Sequence, residues 1–149
     1  MSSTSFGATA TCQASLNFSL NDYLKSLADK IVANFDDYED GIRYDLEDCD
    51  VNEVVEKFNK YISSSQYSQV NEINITMDSE EDNGYGDIFD LLVKSIREDV
   101  MTSKVMEIYS MSYDSREGMS AYHYYITKSG REIGSDRILE LIENSEFVD

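Results

Sequence analysis

The chain contains no proline, a single histidine, two cysteines and only 12 lysines and arginines among its 149 residues. With no proline-rich or Gly/Ser-rich linker and no internal repeat, nothing divides it, and residues 1–149 read as one acidic domain. Two cysteines and one histidine cannot close a four-ligand zinc site without a carboxylate. No Ser, Cys or Asp stands at motif spacing to make His123 a catalytic base. The expectation is therefore no catalytic residue, no metal and no cofactor, and a chain that is not an enzyme. Cys12 and Cys49 lie in separate segments without CxxC spacing, which suits two reduced thiols in a reducing compartment, a single disulfide being the alternative. No apolar run approaches the roughly 18 residues of a membrane span, and MSSTSFGATATCQ has neither the basic nor the apolar part of a leader. A cytoplasmic location is expected, in the host cell if the source is viral.

Scarce bases meet abundant acids. Thirty Asp and Glu give a net charge of −18, and most of it sits in two windows. Residues 36–56 hold ten acids and one base, Arg43, and residues 78–99 hold eight acids against Lys94 and Arg97. A one-signed surface attracts basic proteins and cations and repels nucleic acid and anionic membranes. The 41% hydrophobic and 11% aromatic content is too rich for a disordered acidic tail, so the acids belong to a folded domain.

Periodicity gives the elements. Phe6, Ala8, Ala10, Cys12, Ala14, Leu16 and Phe18 alternate with Gly7, Thr9, Thr11, Gln13, Ser15 and Asn17, which predicts a long half-buried N-terminal strand with a bend or bulge. Its small buried side chains leave room for a close helix. Leu20, Leu24, Leu27, Ala28, Ile31 and Phe35 then recur at helical spacing. A short helix is expected in 40–48, and another over about 51–62, with Asp50 and Glu53 spaced as a capping box. Residues 63–68 read as a polar connector, Ile73, Ile75 and Met77 as a strand, and about 87–102 as a helix. Segments 104–113 and 119–127 form a hairpin, and Ser135 caps a last helix. The sum is an α+β fold: a sheet of about four strands, antiparallel or mixed, covered by one layer of three to five helices.

Three local patterns suggest chemistry and fall short of it. Asp78, Glu80 and Asp82 alternate like the first ligands of an EF-hand loop, but Asn83 stands where glycine is needed and Phe89 where the bidentate Glu belongs. Gly84-Tyr85-Gly86-Asp87 opens a helix like a phosphate cradle, yet four acids in the six preceding residues repel phosphate. Tyr109, Tyr113, Tyr122, Tyr124 and Tyr125 crowd the hairpin, where alternation divides them between packing and an aromatic contact patch for a protein partner.

Charge density offers the most specific expectation. Duplex DNA carries one charge per ~1.7 Å, so 18 charges match about 30 Å of duplex, and a compact chain of this length is a little under ~40 Å across. If both windows share a face, the chain imitates a nucleic acid and blocks the basic groove of a DNA- or RNA-binding enzyme, without binding nucleic acid itself. In size and charge it resembles the small acidic inhibitors that phages and mobile elements direct against restriction enzymes and CRISPR nucleases, although no motif is shared. The partner-binding residues expected are Asp36, Asp37, Glu39, Asp40, Tyr44, Asp45, Glu47, Asp48, Asp78, Glu80, Glu81, Asp82, Tyr85 and Asp87, on a monomer or small homo-oligomer. The competing expectations are an adaptor or virion module that docks on a basic protein without mimicry, an acidic composition that serves solubility alone, and a metal-dependent enzyme using the acidic loop.

Overall fold

A computed structural model describes residues 4–78, 87–114 and 116–143. Six strands form one sheet: β1 (Thr4–Ala14), β2 (Ile62–Tyr67), β3 (Val70–Asp78), β4 (Val105–Asp114), β5 (Gly118–Thr127) and β6 (Glu132–Gly134). Their order is β2-β3-β1-β4-β5-β6, and every neighbouring pair is antiparallel. The helices are α1 (Leu20–Ala33), α2 (Asp40–Asp45), α3 (Val51–Phe58), α4 (Asp87–Asp99) and α5 (Ile138–Glu143), with one 3-10 turn over Phe35–Asp37.

The long N-terminal strand lies in the middle of the sheet, between β3 and β4. Its register with β3 runs from Gly7 opposite Asp78 to Ala14 opposite Asn71 without a slip, so the expected bulge is absent there. Alternation gives this strand a face of small side chains: Ala10 and Ala14 are fully buried, and Ala8 and Cys12 nearly so. Together with Ile73, Ile75, Met77, Met106 and Ile108, they form the floor on which α1 to α4 pack. Leu24, Leu27, Ala28 and Ile31 come from α1, Val54 and Phe58 from α3, and Ile88, Leu92 and Ile96 from α4. Tyr23 of α1 donates to Asp99 of α4 at 2.8 Å and ties two helices of the layer together. Burial first, and then this carboxylate, raise the tyrosine's pKa.

Local signals explain most boundaries. Ser19 accepts from the Asp22 amide and starts α1, and the Asp50–Glu53 capping box is formed in both directions. Asn71, buried on the helix-covered face, donates to the carbonyls of Ser15, Leu16 and Phe18 and fixes the turn from β1 into α1.

The structure corrects the sequence reading in four places. The sheet has six strands, not about four. Residues 63–68 are not a connector: they fall almost wholly in β2, whose side chains beyond Ile62 are exposed, so no apolar alternation marks it. A two-residue turn at Ser68 and Gln69 joins β2 to β3, with Ser68 in the left-handed region at φ 49° rather than the usual glycine or asparagine. Helix α3 stops at Phe58, and Ile62 belongs to β2. Finally, the helices are not one layer: Ile138 and Leu141 of α5 pack with Ile133, Val105 and Tyr125 on the opposite face. This last helix begins three residues after Ser135.

Two substitutions test these local devices by urea unfolding. Asn71→Ala should cost about 1–3 kcal/mol, because the carbonyls it serves lose their donor inside the fold. Ser68→Gly should leave the fold intact and stabilise it by a few tenths to ~1 kcal/mol, through relief of left-handed strain.

Candidate functional site

The first acidic stretch is held against the helix layer by apolar anchors set between its acids. Phe35 and Tyr38 pack against the core, and Ile42 and Leu46 are buried. Asp36, Asp37, Glu39, Asp40, Glu47 and Asp48 consequently face solvent, and Asp45, at the end of α2, is half-buried. Arg43, the window's only base, pairs with Asp40 one helical turn earlier. Lys57 of α3 donates to the Asp45 carbonyl. Asp48 takes φ 59°, a left-handed turn that asparagine and aspartate tolerate and that reverses the chain after α2.

The second stretch arrives on α4. Ile88, Phe89, Leu92, Val93 and Ile96 face the core, which turns Asp87, Asp90 and Lys94 toward α2. A cleft of about 360 Å³ opens between the two helices, lined by Asp37, Tyr38, Glu39 and Ile42 on one side and Asp87, Asp90, Leu91 and Lys94 on the other. Gly41 permits the approach: a Cβ there would collide with the Asp87 carboxylate. Four carboxylates from windows some fifty positions apart in sequence thus border one depression. Like charges at a wet surface cost about 1 kcal/mol or less per neighbouring pair, so the fold tolerates them. A basic partner relieves several such repulsions at once.

The expected site residues divide accordingly. Asp37, Glu39 and Asp87 meet in the cleft, with Asp36, Asp40 and the 71%-exposed Tyr44 on the same acidic segment. Asp45, Glu47 and Asp48 stand at the far end of α2, toward α3. Asp78 ends β3, opposite Gly7 on the sheet, and is not part of the cleft. Glu80, Glu81, Asp82 and Tyr85 lie outside the described residues, as does most of the loop once compared with an EF-hand. Phe89, at that loop's twelfth position, is buried in the core. Among the described residues no three His, Cys, Asp or Glu side chains are grouped to hold a metal ion, and no helix is long and apolar enough to cross a membrane.

Composition gave little warning of a second surface. On the sheet face opposite α1 to α4, Tyr109 stacks on His123 with ring centroids 4.0 Å apart and planes 5° from parallel. Glu107 accepts from the Tyr125 hydroxyl at 3.0 Å and lies 3.0 Å from His123 Nε2. Burial and then Glu107 raise the Tyr125 pKa. Beside this cluster is a second hollow, of about 410 Å³, with Gly7, Thr9, Thr76, Met111 and Ala121 among its lining. Alternation divides the hairpin tyrosines between the two faces: the exposed Tyr109 and Tyr113 and the half-buried Tyr125 lie on this one, and the exposed Tyr122 and half-buried Tyr124 on the other. The methionines beside them carried no signal, because Met111 and Met119 resemble core residues in sequence.

No protein-family model, no curated protein and no solved structure matches the chain.

Both thiols are free. Burial near the end of β1 pushes the Cys12 thiol up to about 12, whereas Cys49 is half-buried at the end of the acidic segment. In native protein near pH ~8, Cys49 should be the only thiol that reacts readily with Ellman's reagent, with Cys12 reacting once denaturant is added. Fast reaction of both in the native state would contradict the burial of β1.

Proposed function

We propose that this chain is an acidic inhibitor that occupies the basic groove of a nucleic-acid-binding protein in place of DNA or RNA. The observation that carries this is the α2/α4 cleft, where Asp37 and Glu39 from one acidic window stand with Asp87 and Asp90 from the other. Shared geometry is what a groove-filling mimic needs, since scattered acids supply solubility without a directed field.

Tyr38, Ile42 and Leu91 in the same cleft give the surface apolar content among its charges, and the strongly exposed Tyr44 stands on the same helix. Ionic contacts steer the approach, and desolvated aromatic or aliphatic contacts decide which basic protein is held. The target class is thus a nuclease, polymerase or other enzyme with a cationic channel, as in anti-restriction and anti-CRISPR inhibition. The cell compartment is the cytoplasm, where such enzymes meet their substrates.

The test is capture of host proteins on immobilised chain, with elution by duplex DNA, by RNA and by salt in parallel. A nucleic-acid-binding protein should be released by duplex or RNA at concentrations that leave control complexes intact. Asp37→Lys, Glu39→Lys and Asp90→Lys together should weaken its capture by more than about 10-fold at unchanged circular dichroism. Capture that ignores nucleic acid, or that survives the triple reversal, would remove the mimic and leave a docking module.

A further inference from the structure

We infer that the open sheet face over β1, β4 and β5 is the surface by which this chain pairs with a second copy of itself. The first ground is charge. In a molecule of net charge −18, the open-face side chains of the outer hairpin are Tyr109, Met111, Tyr113, Met119, Ala121 and His123, none of them acidic. Glu107 closes this strip at one end and is engaged by His123 and Tyr125, while Asp78 borders it across β1. Two such chains brought together through their acidic helical sides repel each other. Through the neutral strip they meet at the smallest electrostatic cost.

Shape supplies the second ground. Gly7, Thr9 and Ala121 are small and sit in the 410 Å³ hollow, while Tyr109 and Met111 rise around it. A two-fold contact requires one surface to carry both the knob and the hole, and this face has both. Methionine suits the knob, because its unbranched thioether adapts to an irregular hollow.

Area is the third. Tyr109, Met111, Tyr113 and Met119 are 49, 53, 44 and 68% exposed. At about 200 Å² per large side chain this comes to roughly 430 Å² of largely apolar surface, well within the range of about 300–600 Å² for the largest patch on a monomer. Thr9, Thr76, Ala121 and His123 around it enlarge the face toward the ~800 Å² per partner of a stable interface. Apposed in this way, the two sheets form a sandwich, and each acidic cleft, on the far side of its own sheet, points outward. The pairing does not depend on what the clefts bind.

Sedimentation equilibrium on the full chain, from micromolar to the highest soluble concentration and at low and high salt, tests this directly. The expected result is a dimer that strengthens with salt as the residual repulsion between acidic copies is screened. Met111→Glu or Met119→Glu places a carboxylate twice in the contact and should weaken the dimer at least ~30-fold, with circular dichroism unchanged. Asp37→Lys with Glu39→Lys should leave the dimer in place. A monomer at every concentration overturns the inference, and so does a dimer indifferent to Met111→Glu. A dimer broken only by Ser65→Pro assigns pairing to the exposed β2 edge, and a monomer that loses a foreign partner on Met111→Glu makes the face a surface for that partner; both overturn it as well.

Discussion

Everything else in the fold is arranged around β1, an interior strand bonded on both sides whose helix-facing side chains from Ala8 to Ala14 are all small. Ala8, Ala10, Cys12 and Ala14 build no height of their own, so the bulk of the core comes from the helices above and from Ile73, Ile75, Met106 and Ile108 on the flanking strands. Paired with β3 on one side and β4 on the other, the strand presents no free edge. Its register fixes which residues of β3 and β4 face the helices and which face away, because a slip of one position would exchange the two sets. The division of the protein into an acidic helical side and a neutral sheet side follows from that register.

The acids occupy the positions that the core leaves over. Along residues 35–46 the chain touches the core through Phe35, Tyr38, Ile42 and Leu46, and the residues between are free to be charged. On α4 the same logic sends Asp87 and Asp90 outward from a five-residue apolar stripe. Because both segments pack on one layer and Gly41 lets them approach, carboxylates of like sign border a common cleft. Such an arrangement costs some stability and is compensated by the burial beneath it. Tyrosine and methionine dominate the other side for a related reason: a sheet face that a helix, α5, covers only at its β5–β6 end still presents every second residue of its strands.

What could be read in the chain and what could not is clearest at particular elements. β1, α1, α4, the β4–β5 hairpin and the Asp50–Glu53 box announced themselves, since each rests on a pattern within a dozen or so neighbouring residues. β2 did not: Ser63 to Gln66 at a sheet edge need no apolar partner, and its hairpin uses a left-handed serine in place of a glycine signal. β6 escaped because three residues are too few to show a period, and the placement of α5 on the second face because it depends on packing against Ile133, Val105 and Tyr125. Among the site residues, the windows were visible as charge, while Asp90, Leu91 and Lys94 became relevant only once α4 lay beside α2.

By itself, then, the sequence determined the α+β class, the excess of acid and its two windows, and the local caps and turns, because periodicity, composition and capping are properties of short stretches of chain. Tertiary structure alone decided that Asp37 and Asp87 share a cleft, that Tyr109 lies on His123 and Glu107 beneath Tyr125, and that Met111 and Met119 are surface rather than core. These depend on strand order and on which face each helix covers. Both are set by packing between segments far apart in the chain, about which no local pattern carries information.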